Sequence, residues 1–82
     1  MENKEKVYNL IKTKWIENKK SSFNISTTNI GKDLNLGVPE LKNILDQLQI
    51  GNKIRITPNK VAKQTFHISD LPDNFTVLEV IV

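Results

Sequence analysis

The chain has 82 residues, 38% of them apolar, 12 lysines and arginines against 9 acids, and no cysteine. A chain of this length hides only about 60% of the surface that its unfolded form exposes, so it supports one small core and no second domain. Without a thiol there is no disulfide and no thiolate metal site, and no apolar run approaches the roughly 20 residues that span a bilayer.

The opening MENKEKVYNL leads charges straight into an amphipathic pattern and lacks the long apolar stretch of a signal peptide. The expectation is a mature cytoplasmic protein. From Lys4 to Lys20, the residues Val7, Leu10, Ile11, Trp15 and Ile16 recur at helical spacing, with Lys6, Lys12, Lys14, Lys19 and Lys20 on the other side. This predicts a first helix of four to five turns, ended by Ser21 and Ser22. Phe23-Asn24-Ile25 alternates like a very short strand. Ser26, Thr27 and Thr28 are good helix N-caps, because each hydroxyl can accept a bond from a free amide of the first turn. Ile30, Leu34 and Leu36 follow as a short second helix, broken by Asn35 and Gly37, with Gly37 the residue expected to take a left-handed turn.

Pro39 suits the first turn of a third helix, where its missing N–H costs nothing. Leu41, Ile44, Leu45 and Leu48 then fall at i, i+3, i+4 and i+7, one apolar stripe. After Gly51 and Asn52 the period changes to two. Ile54 to Thr57 and Thr65 to Ile68 alternate like the strands of a hairpin, turned at Pro58-Asn59-Lys60. Asp70 to Asn74 reads as a loop and Phe75 to Val82 as a last strand.

That order, and the stretch ISTTNIGKDLNLGVPELKNILDQLQIGNKIRI in particular, resembles the winged helix-turn-helix family. The resemblance lies in a capped short helix with the small Gly31 after its central Ile30, and in the turn Asn35-Leu36-Gly37-Val38. A helix closing on Leu45 and Leu48 and a glycine turn from Gly51 into Ile56 complete it. It covers roughly Val7 to Ile68. It implies an α+β fold, a small winged helix spanning residues 1–82, with the helix-turn-helix at about 26–50, the wing at about 53–68 and a C-terminal strand at about 75–82. It also implies a DNA partner, duplex or single-stranded, in transcription regulation or DNA replication. The third helix of this family usually enters the major groove.

Charge varies by segment. Met1 to Phe23 nets +3, Asn24 to Asn52 nets −1, Lys53 to Ile68 nets +4 with no acid, and Ser69 to Val82 nets −3. The four cations Lys53, Arg55, Lys60 and Lys63 are therefore the expected grip on a nucleic-acid backbone. On the third helix, Pro39, Asn43, Asp46 and Ile50 oppose the apolar stripe. Asn43 and Gln47 can read adenine edges and Lys42 can meet a phosphate. Glu40 and Asp46 there depart from the family's usual basic recognition helix, and no arginine is present to grip guanine. They favour an alternative, a docking subunit of a replication or other nucleic-acid enzyme complex whose acidic third helix meets protein, with weak or single-stranded-DNA binding.

Trp15 is expected in the core and His67 on the outside of the sheet, where alone it makes no metal site. No nucleophile–base pair or metal-ligand spacing is present, so neither an enzyme nor a cofactor is expected. FTVLEVIV has little alternation. Either it completes the wing sheet, or Phe75, Val77, Val80 and Val82 pair with a second copy or another protein, since an exposed apolar edge invites association.

Overall fold

Val7, Ile11 and Trp15, four residues apart, form one buried stripe along helix α1 (Asn3–Glu17). The computed structural model describes residues 2–58 and 67–81. Helix α1 ends earlier than its apolar pattern suggests. The N–H of Lys20 donates to the Trp15 carbonyl at 2.8 Å and that of Lys19 to the Ile16 carbonyl at 3.1 Å, a Schellman-type closure. Lys19 and Lys20 are both left-handed (φ 59°). Ile16, expected on the apolar stripe, is 49% exposed.

Strand β1 (Phe23–Ser26) leads without a loop into α2 (Thr27–Leu34). Of the three hydroxyl residues there, Ser26 is the N-cap, its Oγ accepting from the Asn29 N–H at 3.3 Å. Asn35, and not Gly37, takes the left-handed conformation that ends α2 (φ 58°). Asn tolerates this region better than other side chains because it is short and bonds locally. Gly37 is extended and serves as N-cap of α3 (Val38–Ile50), and Leu36 lies in the turn. A Cβ on Gly31 would stand 2.6 Å from the Leu36 carbonyl oxygen, so only glycine lets the turn fold back this closely. The Leu36 N–H donates to the Gly31 carbonyl at 2.8 Å across the same gap.

Leu41, Ile44, Leu45 and Leu48 of α3 are buried against the sheet and α1, as their spacing predicts. Strand β2 (Ile54–Thr57) follows, then a single 3-10 turn (Ile68–Asp70) and strand β3 (Asn74–Val80). The expected second wing strand is not seen at its described end: Ile68 opens the 3-10 turn, and Thr65 and Phe66 lie outside the described residues. His67 is exposed, as expected, but precedes that turn instead of standing on a strand.

The sheet is antiparallel with order β1-β3-β2, so the C-terminal strand is its centre. The register explains the weak alternation of FTVLEVIV. Arg55 pairs with Glu79 and Ile56 with Val77, which leaves Leu78 as an extra residue. This bulge resets the phase of the strand, so that Phe75 and Val77 before it and Val80 after it all reach the core. The expected edge offered to a partner is corrected accordingly: Phe75, Val77 and Val80 are buried within the chain, and Val82 lies outside the described residues. Among the described residues, no helix is long and apolar enough to cross a membrane.

Candidate nucleic-acid interface

Helix α3 turns its Leu-rich stripe inward, which leaves Pro39, Glu40, Asn43, Gln47 and Ile50 exposed on the far side. Asn43 and Gln47 are one turn apart on that face; Gln47, expected at its flank, is exposed there, and Asp46, expected on the face, is the half-buried one. Ile50, three residues beyond Gln47, is 73% exposed. Lys42 and Asp46 flank the face and are half-buried; Lys42 already takes part in an interaction. Glu40 accepts a bond at 3.1 Å from Asn3 Nδ2, which ties its carboxylate to the start of α1.

At the C-terminal end of α3, Lys53 sits exposed in the turn into β2. Its backbone is fixed on both sides. Its N–H donates to the Leu48 carbonyl at 2.9 Å, and its carbonyl accepts from the Ile81 N–H at 2.8 Å. The Tyr8 hydroxyl donates to the Ile81 carbonyl and so holds the same segment from α1.

Arg55 lies on β2 facing solvent, but it is not a free cation. The β2–β3 register sets it opposite Glu79, and Nη1 stands 3.5 Å from Oε1, with side chains 64% and 45% exposed. A surface pair of this kind is worth at most about 1 kcal/mol and opens readily to a stronger anion. Segment charges suggested an unopposed basic wing; pairing of the strands brings an acid of the tail against it. Lys60 and Lys63, the other two cations of that prediction, lie outside the described residues.

A second feature was not foreseen. Asp73, just before β3, binds the start of α2 with both carboxylate oxygens. Oδ1 accepts from the Thr28 hydroxyl at 2.6 Å, the Thr27 hydroxyl at 2.8 Å and the Thr28 N–H at 3.0 Å, while Oδ2 accepts from the Ser26 hydroxyl at 2.8 Å. The Thr28 hydroxyl first, then those of Thr27 and Ser26 and the Thr28 amide, hold this carboxyl far below the ordinary carboxylate value. The run Ser26-Thr27-Thr28 signalled capping; that an acid 45 or more residues away would accept from it had no local signal.

A cleft of about 500 Å³ lies among Lys14 of α1, Asn24 and Ile25 of β1, and Asn29, Ile30, Lys32 and Asp33 of α2. It holds no nucleophile–base pair. Among the described residues, no group of three or more His, Asp or Glu is arranged to hold a metal. No family model, no curated protein and no solved structure matches the chain.

Proposed function

We propose that this chain is a winged helix-turn-helix protein that binds DNA and catalyses no reaction, acting as a small transcription regulator or a DNA-replication accessory. The observation that carries the reading is the pair α2 and α3. They are joined by a turn so tight that Gly31 must lack a side chain, and α3 exposes Asn43 and Gln47 on the face opposite its core stripe. The sheet agrees with it, since its last strand returns between the first two, in the order β1-β3-β2. A helix carrying two carboxamides fits the major groove, where each can donate to adenine N7 and accept from N6. Lys53 at the end of α3 supplies a backbone contact, joined by Arg55 when it leaves Glu79 and by Lys42 when it leaves its present interaction.

Titrating the isotope-labelled chain with a duplex and following amide shifts tests this directly. Shifts confined to α3 and the Lys53 turn support it; shifts confined to the α1 lysines contradict it.

A second reading, a protein-docking subunit of a nucleic-acid enzyme complex, is favoured by Glu40, Asp46 and the exposed Ile50 on the same helix. In this reading any nucleic-acid contact is weak or to single strands, so duplex DNA at low concentration should leave the α3 amide shifts unchanged.

A further inference from the structure

The outward face of α3 carries an uneven set of base-reading groups. Each base pair offers a distinct major-groove pattern: two acceptors on guanine, a donor on cytosine, an acceptor with a donor on adenine, and a methyl group on thymine. Guanine calls for a cation, and the sole cation on this helix, Lys42, is half-buried and already engaged. Cytosine calls for a carboxylate. Glu40 is held by Asn3, and Asp46 is half-buried. What stands exposed together is Asn43, Gln47 and Ile50, at i, i+4 and i+7 on one face.

Resting on the DNA-binding reading, we infer that α3 selects A·T base pairs, with Asn43 and Gln47 bonding adenine and Ile50 packing on a thymine methyl. From Asn43 to Ile50 the helix rises about 10 Å, the height of roughly three stacked base pairs at about 3.4 Å each. The three side chains thus match a short A·T run without a gap. Among the described residues Ile50 is the most exposed large aliphatic side chain, and it lies one turn beyond Gln47 on the same face.

The test uses the full chain and three labelled duplexes of equal length and alternating sequence: adenine–thymine, adenine–deoxyuridine and guanine–cytosine. Deoxyuridine removes only the methyl group, which faces the major groove. Fluorescence anisotropy should show the guanine–cytosine duplex bound roughly 5-fold or more weakly than adenine–thymine. The deoxyuridine duplex should lose about 4-fold for each methyl met. In Ile50→Ala, a change at an exposed site that leaves the core untouched, thymine and deoxyuridine duplexes should bind alike. Equal binding of all three duplexes by the wild type overturns the A·T inference while leaving DNA binding intact. Methyl dependence that survives in Ile50→Ala overturns the role of Ile50. Failure to bind any duplex at low salt contradicts the DNA reading itself, and this inference with it.

Discussion

Asp73 and Thr28 close the fold across its two ends. The carboxylate at the entrance to the last strand accepts from both the hydroxyl and the amide N–H of Thr28 in the first turn of α2. The helix thereby gains an anion at its positive end, and the central strand gains a fixed starting point. The backbone repeats the link, with the Thr27 N–H donating to the Asp73 carbonyl at 2.8 Å.

This contact makes stability sensitive to acid. The folded state holds the Asp73 carboxyl below its ordinary value of 3.8, so the unfolded chain takes up the proton first as pH falls. The contribution is complete well above pH 3.8 and is lost progressively below it. Circular dichroism melts across that range should show Tm falling with pH in the wild type. In Asp73→Asn, Tm should start lower at neutral pH and fall less on acidification.

Gly31→Ala should cost about 1–3 kcal/mol, the usual penalty of forcing atoms into a packed site, because its Cβ would meet the Leu36 carbonyl at 2.6 Å. Urea denaturation measures this directly. The control is Gly37→Ala, whose Cβ would meet nothing closer than 3.8 Å and which should lose far less.

Phe75→Ala should cost about 3–5 kcal/mol, since the ring is buried at the centre of the sheet. That is comparable with the whole stability of a small domain. The expected result is a largely unfolded chain by circular dichroism. A variant that stays folded but changes its mass in light scattering would instead assign Phe75 to an interface.

Glu79→Gln should strengthen duplex binding and steepen its salt dependence by about one unit of log–log slope, as Arg55 is released to meet a phosphate. Arg55→Ala should remove that gain, and a salt titration of the two variants and the double variant measures the coupling.

The parts of the fold written in short-range periodicity were legible in the sequence. Leu41, Ile44, Leu45 and Leu48 mark the inner face of α3 by spacing alone, and Trp15 marks that of α1. What depends on two distant segments was not. The Leu78 bulge turns a strand that reads as apolar on both faces into one that feeds a single core, and it exists only in the pairing with β2. Likewise, Glu79 becomes the partner of Arg55 only through register, which no local pattern encodes. Asn35 and Gly37 show a finer ambiguity. Both residues tolerate a left-handed turn, and the close return of Leu36 onto Gly31 set the crossing at Asn35. On the candidate interface, the sequence supplied Asn43, Gln47 and Lys53 correctly as exposed groups and overstated the freedom of Arg55.

The proposed binding of DNA by α3 and the adjoining turn is measured by anisotropy with labelled duplex and single-stranded oligonucleotides over a salt series. The expected result is tighter binding to duplex, with a log–log slope near −3 for roughly three or four phosphates and a loss of about one unit in Lys53→Ala. Absence of binding to either form at low salt, or a slope unchanged by Lys53→Ala, would contradict it and turn attention to a protein partner for α3.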